Sequence, residues 1–391
     1  MISVAEATER LFALVEPLDA EVLPLRQASG RVLAEAVAAR HAQPPFPASA
    51  MDGYAVTGGV PSVDTTYRVI GTAAAGHPYA GVIGAGEALR ILTGGAVPEG
   101  TGRVVVQEDV ARQGDRIRIV RQPSAETHIR PAGGDFDARF RIPAGTVLGS
   151  RAIALLAAMG HGALPVVRRP VVAILMTGDE LRAPGEPLGP GEIVGSNGYG
   201  LAAMIEDAGA EARVLPIARD DAASLAAALR LGRGADLIVT VGGASVGDHD
   251  IVAGTAKAEG LTISFHKVAM RPGKPLLAGR LGDTALVGLP GNPVSSMVCG
   301  VVFLLPMVRR MLGLDPTVPS RRLTLGASIG ANGPRAHYMR AETRGGACYP
   351  APRQDSSLLS VLARADVLVL RPPGDAARPE GTLVDVIDLP R

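Results

Sequence analysis

The chain has 391 residues, enough for two or three domains at the common size of roughly 150 residues each. Its 39 basic and 38 acidic residues leave a net charge of +1, which excludes a bulk electrostatic pull toward nucleic acid or an anionic membrane. Cys299 and Cys348 have no metal-ligand spacing and cannot build a disulfide framework, so a reducing, cytoplasmic setting is expected.

Residues 2–16 repeat apolar positions at helical spacing (Val4, Ala7, Leu11, Leu14, Val15). Glu6 and Glu9 inside that pattern make an amphipathic helix rather than a signal peptide. A second, shorter helix is predicted over 28–37. Gln43-Pro44-Pro45-Phe46-Pro47 is then stiff and extended, because each proline restrains itself and its predecessor, and it reads as a domain crossing. Short β-rich runs follow at 67–70, 88–92, 103–106 and 116–120, with a strand pair predicted over 142–148. The apolar helix at 151–159 resumes the texture of the N-terminus, so the β-rich part is read as inserted into a discontinuous first domain.

After Arg169-Pro170 strands and helices alternate: strand 171–176, helix 198–208, strand 212–217, helix 222–231, strand 237–241. This rhythm predicts an α/β fold with parallel strands and right-handed crossovers, and ligands in such sheets bind beyond the strands' carboxyl ends. The apolar stretch 294–312 contains Pro306 and closes on Arg309-Arg310, which favours a buried core helix over a membrane span. From 319 onward the pattern is short strands and turns.

Three loops at predicted carboxyl ends carry acids. They are residues 177–180 with Glu180, residues 219–221 with Asp220, and the loop after 237–241 with Asp248 and Asp250. Gly242 and Gly243 lack Cβ atoms, so backbone N–H groups there can close on an anion, and Ser245 adds a hydroxyl. Taken singly, Glu180, Asp220 and Asp250 are ordinary helix caps. Clustered, they need a divalent cation to neutralise them. Lys267, Arg271 and Lys274 surround a Pro-Gly turn and suit either an anion or a charged hairpin surface. In 288–296 (GLPGNPVSS) a rigid turn leads into an apolar helix whose free N–H groups favour an anion, with Ser295 placed to assist.

Two other patterns compete. Residues 243–247 match G-x-S-x-G, the nucleophile elbow of α/β-hydrolases, but Gly-Asp-His-Asp follows instead of a packed helix start. Residues 198–203 imitate a dinucleotide fingerprint without the preceding long strand and read as a helix start.

The whole chain resembles the MoeA family, the molybdopterin molybdenumtransferases, which includes the E domain of gephyrin. The motifs PPFPASAMDGYAV, RILTGGAVPEGTGRVVVQED, RPAGGDF, MTGDEL, ARDD, VGGASVGDHD, KVAMRPGKP and GLPGNPVSS occur in family order. The resemblance implies an α/β multidomain protein. A discontinuous helical and strand domain spans 1–44 and 138–168, an inserted β-rich domain 45–137, a MogA-like α/β domain 169–317 and a C-terminal β-barrel 318–391. It implies that molybdenum from molybdate is inserted into adenylylated molybdopterin with release of AMP and help from Mg²⁺.

By position, the resemblance makes Glu180, Asp220 and Asp250 the metal ligands and Asp135 a further functional carboxylate. Asp52 and Thr93 would reach the cleft from the second subunit of a homodimer whose active site lies at the interface. Lys267, Arg271 and Lys274 would face the substrate, with Arg271 standing where many members carry Lys. Gly242, Gly243, Ser245, Asp248, Pro290, Asn292 and Pro293 would line the cofactor site, and Ser295, Arg340 and Ser356 the molybdate pocket. A MogA-type adenylyltransferase and molybdoenzymes are the implied partners, and nucleic acid and membrane are not. The preceding adenylyltransferase reaction and a scaffold role like that of gephyrin are the competing functions.

Overall fold

The computed structural model describes residues 1–243 and 251–390, which form two compact units. One comprises residues 1–21, 30–34 and everything from 166 onward; the other comprises 22–29 and 35–165.

The first unit is built on a six-stranded sheet in the order Glu211–Val214, Val171–Met176, Leu237–Val241, Thr284–Leu289, Pro275–Leu281, Leu261–Lys267. The first four strands are parallel, and the last two run antiparallel to their neighbours. Period-two alternation explains why both faces of Val171–Met176 are apolar. Val172 and Ile174 pack into one core with Leu201, Ile205 and Val298. Ala173 and Leu175 pack into a second with Leu225, Leu229 and Val252. Helices Asn197–Asp207 and Pro293–Met311 therefore cover one face, and Ala222–Leu231 and Ile251–Ala258 the other.

Helix Pro293–Met311 is long and apolar enough to cross a membrane, yet 78% of its apolar window is buried inside the protein, as its sequence predicts. Its turn widens to π geometry over Gly300–Leu304, next to Pro306, which has no N–H for the regular ladder. The predicted helix at 198–208 is present as Asn197–Asp207, and that at 222–231 as Ala222–Leu231.

The C-terminal part of this unit is a closed five-stranded barrel. Ala336–Arg344 pairs with Ala347–Pro350, then come Ser320–Leu325, Leu383–Asp388 and Val367–Arg371, which returns to Ala336–Arg344. Closure removes the free sheet edges that would otherwise invite pairing with another chain. The short strand Met270–Arg271, from the loop between two strands of the large sheet, adds in parallel beside Ala336–His337. The α/β part and the barrel are thus joined by backbone hydrogen bonds as well as by packing.

The second unit contains a six-stranded sheet in the order Arg103–Val106, Gly53–Val56, Glu87–Ile91, Thr66–Ala73, Arg116–Ile119, Val110–Gln113, and helix Ser150–Ala158. Two predictions fail in detail. Residues 28–37 are not a helix: Gly30 adopts φ +75°, Leu33 bridges Val166, and Val37–Ala38 is a strand. Over 142–148 only Arg141–Ile142 is strand, paired with Val37–Ala38. Leu33, Val37 and Ile142 are buried by long-range pairing, which local periodicity does not report.

Candidate functional site

Three parallel strands end together. Thr177 follows Val171–Met176 and donates its N–H to Val241 O (3.0 Å), Gly242 follows Leu237–Val241 and donates to Leu289 O (3.2 Å), and Gly178 N–H reaches Ala218 O (3.1 Å). Gly242 and Gly243 take φ +95° and +62°, where a side chain would be strained. Gly291 sits directly against Gly242; a Cβ there would lie 3.5 Å from Gly242 Cα. Around these ends lies a cleft of about 630 Å³ lined by Thr177, Glu180, Asp220, Gly242, Gly243 and Asn292, with Pro290, Pro293 and Pro275 also at its wall.

Glu180 and Asp220 therefore share one cavity, as the resemblance implies for two of the three acids. Asp250, Ser245 and Asp248 lie outside the described residues, as does most of the G-x-S-x-G match. The loop bearing Asp220 is held by its N–H on Asp179 Oδ1 (3.3 Å), and the turn at Gly291 by Asn197 Nδ2 on its carbonyl (2.7 Å). Sequence reading missed both clamps. It also gave no role to Thr177, although a hydroxyl directly ahead of a strand-end glycine was a usable signal.

The barrel reaches the same cleft. Arg340, 1% exposed, donates through Nη1 to Asp355 O (2.8 Å) and through Nε to Gln354 Oε1 (3.2 Å). The loop so held passes Ser356 O to the N–H of Val294 (3.0 Å) and places Ser357 at the cleft wall. Ser295 is buried one residue further along. Arg340, the Ser356 loop and the start of helix Pro293–Met311 are thus continuous in space. Burial holds the Arg340 guanidinium below its usual pKa; Asp355 opposes that and Arg271 adds to it. Lys267 closes its strand opposite Pro275, Lys274 O accepts from Val268 N (3.1 Å), and Arg271 is exposed beside His337.

In the second unit Asp52 and Thr93, 41 residues apart, form one constellation. Asp52 Oδ1 accepts from both the N–H and the hydroxyl of Thr93 (2.7 Å each), and these two bonds hold its carboxyl below the usual range. Asp135, in the same unit, lines a cavity of about 690 Å³ with Pro44, Phe46, Arg130 and Gly94, the residue after Thr93.

Carboxylate oxygens are hard donors, and Mg²⁺ is commonly held by one or two carboxylates together with substrate phosphates and water. Glu180 and Asp220 fit that description. Among the described residues no group of three acidic, histidine or cysteine side chains gathers closely enough to hold a metal by itself.

Fold and site together define a class: multidomain α/β proteins with a glycine-lined, acid-flanked cleft at the strand ends and a barrel completing its wall. Comparison with known proteins narrows the class. Models of the MoeA N-terminal region (domain I and II), a "probable molybdopterin binding domain" and the MoeA C-terminal region (domain IV) match residues 2–160, 173–310 and 322–389. A Mycobacterium tuberculosis protein named molybdopterin molybdenumtransferase 2 is 39% identical over 332 residues, 82% of each chain. A Staphylococcus aureus molybdopterin molybdenumtransferase is 29% identical over 405 residues, 99% of this chain and 95% of its own. The crystal structure of a molybdopterin biosynthesis MoeA protein from Pyrococcus horikosii matches with a TM-score of 0.88 at 28% identity, covering 99% of each chain.

The chain belongs to the MoeA family. It is a transferase of molybdenum cofactor biosynthesis.

Proposed function

We propose that this protein inserts molybdenum from molybdate into adenylylated molybdopterin and releases AMP, working as a homodimer. The observation that carries the reading is the shared wall: Glu180, Asp220, Gly242 and Gly243 of the α/β part face one cleft with Ser357 of the barrel, whose loop is tethered to Arg340. A pyrophosphate-linked pterin needs backbone N–H donors; the Gly242 N–H is spent on Leu289 O, so the Gly243 end of the turn would supply one, free of side-chain obstruction. A tetrahedral oxyanion needs a dry cationic pocket, which the buried Arg340 with Ser295 and the Ser356 loop would provide, with Arg271 nearby.

Glu180 and Asp220 would hold Mg²⁺, which when bound polarises a phosphoanhydride. The chain's own groups then orient the reacting parts: the glycines fix the phosphates, Asn292 and the proline-rich turn bound the cleft, and Lys267 and Lys274 balance the substrate's negative charge. Asp52, poised as an anion by Thr93, and Asp135 would complete the site from the second subunit. A MogA-type adenylyltransferase would supply the adenylylated substrate, and molybdoenzymes would receive the product, in the cytoplasm.

Glu180→Ala should lower AMP release from adenylylated molybdopterin roughly 100-fold or more. Mixing Glu180→Ala with Asp52→Ala protomers should restore part of it, because a mixed dimer has one intact interface site. Wild-type protein that releases no AMP, or that consumes ATP on unadenylylated molybdopterin, refutes the reading. A chromatographic AMP assay with molybdenum quantified on the pterin makes the measurement.

A further inference from the structure

Among the described residues the hydroxyl of Thr177 has no hydrogen-bond partner, although the residue is only 4% exposed. Buried polar groups in folded proteins are nearly always paired, so an orphan at a cavity wall calls for an explanation. Its surroundings give one. Thr177 lines the same cavity as the two cleft carboxylates and lies against Gly243: a Cβ at Gly243 would lie 2.8 Å from Thr177 Oγ1 and 2.4 Å from Val252 Cγ2. A Cβ at Gly242 would meet the Thr177 carbonyl at 2.6 Å. The absence of a Cβ at Gly243 thus leaves room beside the hydroxyl that any other residue would fill.

We infer that Thr177 is a further substrate-binding residue, whose hydroxyl donates to a non-bridging phosphate oxygen when a pyrophosphate-bearing ligand settles on the Gly242–Gly243 turn. The inference rests on the functional reading above and adds a residue to it. Thr240 supplies an internal comparison. Its hydroxyl is also buried and without a partner among the described residues, but it lies within the sheet between Leu175 and Gly288, away from the cleft lining. A purely structural tolerance of orphan hydroxyls would make the two equivalent.

The test is titration calorimetry of the full chain with inorganic pyrophosphate in the presence of Mg²⁺. Thr177→Val keeps the β-branched shape and should weaken binding by roughly tenfold to hundredfold, the usual consequence of losing a hydrogen bond to a charged group. Its unfolding midpoint should be unchanged or raised, since an unpaired buried hydroxyl is removed. Thr177→Ser should bind within about threefold of wild type, because the donor is kept, and so should Thr240→Val, because its hydroxyl lies off the cleft. Wild-type affinity in Thr177→Val, or an equal loss in Thr240→Val, overturns the inference. So does wild-type protein that releases AMP normally but binds no pyrophosphate, whereas failure of both binding and AMP release points to the functional reading instead.

Discussion

The two ends of the central sheet carry cavities of comparable size and opposite character. At the amino ends a hollow of about 880 Å³ is bounded by residues 14–19, 233–236 and 280–284. Several of its charged groups are occupied by the fold. Asp236 takes two bonds from Arg168 (2.8 and 2.6 Å) and one from Val171 N (2.8 Å), and this pairing raises the Arg168 pKa. Arg280 donates to Leu14 O (2.9 Å) and Asp283 O (3.1 Å), and Glu259 accepts from Arg230 (2.9 Å). At the carboxyl ends the smaller cleft holds two carboxylates, left-handed glycines and a hydroxyl with no partner among the described residues. Volume does not locate chemistry here. Unsatisfied groups at a cavity wall are the better guide, and Thr240, buried within the sheet, shows that burial alone is not one.

Breaking the comparison needs variants at both ends. Glu180→Ala, whose expected loss of AMP release is the largest effect, should leave thermal unfolding unchanged. Asp236→Ala should do the reverse, destabilising by about 1–3 kcal/mol because Arg168 and the Val171 N–H lose their acceptor, with AMP release per folded molecule intact. Parallel thermal melts and turnover assays of the two proteins decide it, and matching losses of activity would erase the distinction between the ends.

The barrel junction sharpens the same point through pH. Burial, then Arg271, Arg371, Arg340 and Arg335, push the His337 imidazole down to about 4, and its Nε2 has no hydrogen-bond partner among the described residues. The unfolded ring binds its proton near pH 6.5, the folded one only near 4. Stability is therefore full above the unfolded value and is lost as pH falls between the two, with a slope approaching about 1.4 kcal/mol per pH unit. Denaturant melts from pH 7 to 4 should show that slope, and His337→Gln should flatten it. The smallest change is expected at Arg10, whose exposed pair with Glu6 (2.6 Å) lies one helical turn away. Arg10→Ala should shift stability by under about 0.5 kcal/mol in the same melts.

Much of this molecule was legible before any coordinates. Strands Val171–Met176 and Leu237–Val241 and helix Ala222–Leu231 coincide with their predicted limits, because their burial follows the local periods of two and 3.6 residues. The glycine pair and the acids at 180 and 220 announced a strand-end site, and eight motifs announced the family. Residues 28–37 were misread because their apolar side chains are buried by pairing with Val166 and Arg141–Ile142, far along the chain.

Only the tertiary structure set Thr177 against Gly243, bound Asp52 to Thr93 and carried Arg340 with residues 354–357 to the start of helix Pro293–Met311. Sequence determined which segments could be strands, helices and turns, since those depend on neighbours a few residues away. Sheet order, register and barrel closure decided which distant side chains meet, since those depend on the packing of the whole chain at once.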